Sequence, residues 1–240
     1  MNYLFGRKEP RDRAYEEKYP ASKLLGMSAV KSVERILPFS PALQTFYDQK
    51  QYQACVGFST SIMMSLYNCK PQQKYDALWL YHQAQLNDDD PTTDPSVDAG
   101  AYVWAAFKVL QKLGHKNVHE KAPDLKDGLL NYYWATSTDE TRTATAIGRP
   151  TVIGVNWYQE FMVPKLIGGE YWIGMSTDMG KWLGGHAICV RGSSDKRQAH
   201  LFAPSWGMGY PSVWVPYTVF DRLMGEGGEA CVGVDNPAVT

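Results

Sequence analysis

The sequence predicts an α+β fold of two lobes, a helical lobe followed by a β lobe. Three observations carry that expectation. Apolar residues recur at helical spacing through the first 145 or so positions. The last 90 or so carry short β-branched runs bounded by Gly, Pro and Ser-Asp turns. The texture changes at Gly148-Arg149-Pro150. Helices and strands segregated in this way pack as layers with a cleft between them. We divide the chain into an N-terminal surface extension (1–34), a helical lobe (35–148) and a β lobe (149–240), the lobes forming one unit. At 240 residues the chain can bury a substantial shared core.

Residues 1–30 are charged and rich in turn formers, with Pro10 and Pro20 among them, which suits a surface segment. Ile36-Leu37-Pro38-Phe39-Ser40-Pro41 carries two prolines that break any long helix, so 31–47 reads as an extended lead-in. From Cys55 to about Tyr67, Phe58, Ile62 and Leu66 with Val56 and Met63 give a helix buried on more than one side. Lys74 to Leu86 gives a second helix. Asn87 to Pro95 interrupts with turn chemistry. Residues 100–113 form the clearest amphipathic helix, closed by Gly114 at the expected position. Strands follow at Thr151–Val155, Ala187–Arg191, His200–Ala203, Ser212–Val215 and Ala230–Val234. No internal repeat is present.

Composition excludes several functions. With 24 basic and 25 acidic residues the formal net charge is -1, which gives no footprint for nucleic acid or an anionic membrane. Cys55, Cys69, Cys189 and Cys231 lack CxxC spacing, which argues against a zinc knuckle; free thiols are the simplest account, with two pairs left open. His115 and His119 at i, i+4 have no third ligand in view, and the acidic run from Asp88 to Asp98 lacks the pattern of a calcium loop. We expect no metal and no cofactor. The first ten residues lack the apolar core of a secretory signal, and no stretch reaches the ~18 apolar residues of a membrane span. The expected location is therefore a cytoplasm or a particle such as a virion.

Two positions carry candidate chemistry. In Asp48-Gln49-Lys50-Gln51-Tyr52-Gln53-Ala54-Cys55-Val56-Gly57-Phe58-Ser59 a polar turn runs into a cysteine that opens a helix. A thiol there meets the positive end of the dipole and unpaired N–H groups, which favour thiolate. By itself such a cysteine is more often a small buried hydrophobe. In Gly184-Gly185-His186-Ala187-Ile188-Cys189-Val190 a histidine enters an apolar strand in the other lobe. Cys on a helix start and His on a strand across a cleft is the arrangement that nucleophilic Cys-His catalysis requires.

These blocks resemble the papain-like (C1-type) cysteine peptidases. The family carries a Gln six residues before its nucleophile and a pair like Phe58-Ser59 after it, matched by Gln49, Cys55, Phe58 and Ser59. His186-Ala187-Ile188 is similar to its histidine block, and Pro204-Ser205-Trp206-Gly207 to its Asn-Ser-Trp-Gly block in all but the first residue. The resemblance runs from about residue 35 to the end. It implies thiol-dependent hydrolysis of peptide or amide bonds, with Cys55 as the thiolate nucleophile and His186 as its ion-pair partner and then the acid that protonates the leaving amine. It further implies Gln49 with the Cys55 N–H as the oxyanion hole, and Trp206 as a shield.

The departures are specific. Pro204 stands where the family's Asn orients the histidine. Ser205 is the neighbouring candidate for that task, and a backbone carbonyl is another. Tyr52 replaces the family's second cysteine, so the familiar disulfide cannot form there. Val56 replaces a common Trp. These features suit a bacterial or phage-type relative. Expected partners are a peptide or protein substrate. Pro204 also motivates an alternative, a papain-fold structural or binding subunit of a larger assembly, such as a phage tail component, with weak or no catalysis.

Overall fold

The structure, a computed structural model, describes residues 20–25, 30–67, 72–88 and 94–235. Its helices are α1 (Ala21–Leu25), α2 (Pro41–Phe46), α3 (Cys55–Leu66), α4 (Ala77–Leu86), α5 (Val103–Leu113), α6 (Thr138–Ala146) and α7 (Tyr217–Gly225). Its strands are β1 (Glu34–Ile36), β2 (Leu129–Ala135), β3 (Thr151–Tyr158), β4 (Lys165–Ile167), β5 (Glu170–Trp172), β6 (Trp182–Ser194), β7 (Ala199–Ala203), β8 (Val213–Pro216) and β9 (Glu229–Asp235).

One sheet runs in the order β2-β9-β3-β6-β7-β8-β5-β4, with β1 on the far half of β6. Its pairs are antiparallel except β5 with β8. The run Ala187-Ile188-Cys189-Val190 is apolar at every position because β6 is buried on both faces. Ala187 and Cys189 face a core shared with α3, α4 and α5; Ile188 and Val190 face a second core with Phe202, Val215 and Phe220. The α+β expectation therefore holds, with α2, α3, α4 and α5 laid on one face of the sheet and Ala21 of α1 in the core on the other.

Helix boundaries follow local chemistry. Asp76 caps α4 by accepting from Trp79 N–H at 3.0 Å. Gly114 ends α5 at φ +75°, where a side chain would run into the Asp124 carbonyl. Several segments differ from the sequence expectation, among them a helix, α7, inside the stretch read as strand. Pro41 opens α2 rather than preventing a helix, because the missing N–H costs nothing at the first position and Ser40 Oγ accepts from Leu43 N–H. Strand β2 lies within the stretch read as helical; Leu129 to Ala135 pairs with β9, a hundred residues away in sequence. Among the described residues no helix is long and apolar enough to cross a membrane.

Candidate active site

Helix α3 is buried along all twelve of its residues. A helix with no solvent face needs its polar side chains satisfied internally. Ser61 and Ser65 donate back to the carbonyls four residues earlier, Gly57 and Ser61, at 2.7 and 3.0 Å. Cys55 is its first residue. The preceding Ala54 supplies no side-chain cap, so the first-turn N–H groups face the thiol end. Cys55 is buried, and its Sγ accepts from the Ala187 backbone N–H at 3.4 Å. The nucleophile candidate thus meets the strand that carries the histidine candidate, at the very next residue.

His186 pairs in register with Val155 and is 2 % exposed. Two indoles enclose its ring. Trp206 stacks on it at 4.6 Å and 18°, and Trp157 meets it edge-on at 4.7 Å and 67°. Burial in this apolar box pushes the imidazole down to about 3, so it is neutral at ordinary pH. Sequence inspection missed Trp157. Its register two positions from Val155 on β3, opposite Gly184, becomes visible only once the strands are paired.

Gln49 is held from both sides. Its N–H donates to the Ser205 carbonyl at 2.8 Å, Asp48 bridges Trp206, and Gly207 N–H donates to the Tyr47 carbonyl at 3.4 Å. The turn before the nucleophile is therefore stitched to the turn after β7. Gly207 sits at φ +59°, and a side chain there would press on the Asp48 carboxylate. Ser205 Oγ donates to Gln49 Oε1 at 2.6 Å, and Gln49 Nε2 donates to the Tyr52 carbonyl at 2.9 Å. Ser205 was a candidate for orienting the histidine. Its hydroxyl instead bonds the Gln49 amide, whose orientation is fixed by the Tyr52 carbonyl, an acceptor only. Pro204 is buried and carries no polar side-chain atom.

The other thiols are placed differently. Cys189 and Cys231 both pair with Val152, from opposite sides, so they stand two strand spacings apart, about 9.6 Å, beyond the ~7 Å a disulfide spans. Burial raises both thiols. Cys69 lies outside the described residues. His115 is buried, with Nε2 2.8 Å from Ser61 Oγ and Nδ1 accepting from Lys116 N–H, whereas His119 is exposed on the loop beyond α5. The two imidazoles share no helical face.

No family model and no curated protein sequence matches the chain. Solved structures do. Xylellain, a cysteine protease from Xylella fastidiosa, superposes with a TM-score of 0.65 at 18% identity, over 97% of this chain and 92% of that one. A digestive procathepsin L2 proteinase from the larval midgut of Tenebrio molitor gives 0.60 at 19%, over 97% and 78%. A recombinant stem bromelain precursor gives 0.55 at 13%, over 96% and 76%. The helix that opens on Cys55, the strand that carries His186 and the sheet between them are arranged in the papain-like fold.

Proposed function

We propose that the protein hydrolyses peptide or amide bonds through a Cys55 acyl-enzyme, with His186 carrying the proton. The contact of Cys55 Sγ with the N–H next to His186 is the observation that carries this reading. A thiol at a helix start, a neutral imidazole one residue from its contact and a pinned glutamine amide six positions upstream are the parts that acyl transfer needs.

His186 takes up the thiol proton and carries it to the leaving group. Sγ attacks the scissile carbonyl carbon and its proton passes to the imidazole. The carbonyl oxygen becomes an oxyanion, facing the Cys55 N–H and the second N–H of Gln49 Nε2, the first being held by Tyr52. Collapse breaks the C–N bond, and the amine leaves with the proton from His186. Water, deprotonated by the same imidazole, then releases the acid and restores the thiol. With Pro204 at the orienting position, Trp206 stacked on the imidazole and Trp157 edge-on to it take over its holding.

The test is thiol labelling. An epoxide-type peptide inhibitor or a simple alkylator is expected to modify Cys55 far faster than Cys69, Cys189 or Cys231, and His186→Ala should abolish that preference. Labelling without preference overturns the proposal. An unreactive Cys55 in a chain held in a stable complex supports the assembly role instead.

A further inference from the structure

The six residues from Gln49 to Ala54 must hold two catalytic parts at fixed distance; Gln49 is pinned to the turn after β7 and its carbonyl accepts from Tyr52 N–H at 3.0 Å, which leaves the end next to Cys55 to be fixed. Lys50 adopts φ +51°, a left-handed conformation that costs a non-glycine residue about 1 kcal/mol. Position 52 is an exposed tyrosine, so no covalent tie starts there. Ala54 provides no cap.

What holds the segment comes from the loop before α5. Gln53 N–H donates to both carboxylate oxygens of Asp98, at 2.9 and 3.0 Å, and Gln53 Nε2 donates to the Asp98 carbonyl at 2.7 Å. The same carboxylate accepts from Tyr81 O–H at 2.8 Å. Tyr81 is buried on α4, and burial, reinforced by Asp98, raises its phenol, so the proton stays on to donate. Gly100 N–H and Gln85 Nε2 donate to the Tyr81 oxygen in turn, at 3.2 and 3.0 Å. Helix α4 is itself pressed against α3: a Cβ on Gly57 would lie 2.8 Å from Tyr81 Cβ. The carboxylate is thus referenced to the helix that carries the nucleophile.

We infer that Asp98 is a positioning residue of the nucleophile turn, clamping Gln53 and through it the Tyr52 carbonyl that holds the Gln49 amide. The inference rests on the assignment of Gln49 and Cys55 proposed above. The clamp is charge-assisted, which makes it stronger than a neutral hydrogen bond. It acts on the oxyanion donor rather than on the thiol, and that difference can be measured.

The test compares the full chain with Asp98→Ala, Asp98→Asn and Tyr81→Phe, by residue-level amide hydrogen exchange, hydrolysis of a panel of fluorogenic peptidyl amides, and iodoacetamide alkylation of Cys55, which forms no oxyanion. Asp98→Ala is expected to raise exchange at Gln53 about tenfold or more while amides in the second half of α3 keep their protection. It should lower kcat about tenfold with KM within about twofold, and leave alkylation within about threefold. Asp98→Asn, which keeps one acceptor oxygen, falls between, and Tyr81→Phe has a smaller effect of the same kind. Unchanged exchange at Gln53 overturns the inference. So does a rise in KM alone, or a parallel fall of kcat, alkylation and thermal stability. If the unaltered chain cleaves no peptidyl amide, the peptidase proposal fails and the exchange at Gln53 alone decides the clamp.

Discussion

The role proposed for Gln49 depends on its side chain's neighbours. An amide can present either its oxygen or its nitrogen to a substrate, and only the nitrogen stabilises an oxyanion. The Tyr52 carbonyl settles the choice, because it can only accept and so takes Nε2, leaving Oε1 to accept from Ser205. Replacing Gln49 by Ala should lower kcat/KM about 10²–10³-fold while iodoacetamide still alkylates Cys55 at a comparable rate. Ser205→Ala removes the 2.6 Å hydrogen bond from a buried amide and should cost about 1–3 kcal/mol of stability, read from the urea midpoint, with a smaller loss of kcat/KM. Position alone made Gln49 legible in the sequence, six residues before a cysteine. The partner of Ser205 was not legible, because its nearest sequence neighbours suggested the histidine and its hydrogen bond crosses 156 positions. Asp98 read as part of a solvated acidic run for the same reason: nothing local distinguishes a carboxylate that clamps Gln53 from one that faces water.

At the level of elements, the decisive contact is between α3 and α4. Gly57 lies where a Cβ would come within 2.8 Å of Tyr81 Cβ and 2.9 Å of Tyr81 N. Gly57→Ala improves helix propensity by about 1 kcal/mol, yet overpacking costs about 1–3 kcal/mol and should win, lowering the urea midpoint and loosening the Asp98 clamp through Tyr81. The helices α3, α4 and α5 were readable because a 3.6-residue period is a local property. Strand β6 was readable because burial on both faces leaves an unbroken apolar run. Strand β2 escaped because its evidence is its partner: Leu129-Leu130-Asn131-Tyr132-Tyr133-Trp134 becomes a strand by pairing with β9. The short edge strands β4 and β5, three residues each, carry too few positions for any period to register.

Across the whole molecule, three histidines are buried and neutral. His115, His186 and His200 are each pushed by burial from 6.5 to about 3. Between those values the unfolded chain binds protons that the folded chain refuses, so their contribution is fully present above pH 6.5 and is lost as pH falls toward 3. Each can contribute a slope of up to about 1.4 kcal/mol per pH unit in that window. Urea midpoints measured at pH 7, 6 and 5 should fall steadily, before most carboxylates begin to titrate; a flat profile would show that these imidazoles are open to solvent. The sheet order has a further consequence, for synthesis. Strand β3 sits between β9 and β6, and among the described strands β2 pairs with β9, as Tyr132 does with Gly233, beside a single bridge from Trp134 to Pro20. While a ribosome has made β2 but not yet β9, β2 lacks its strand partner and the sheet is unfinished beyond β3. Non-local pairing of this kind is slow and comes late. The edge of the sheet beyond β3 is therefore the last to close, and a nascent chain carries β2 without its strand partner through most of its translation.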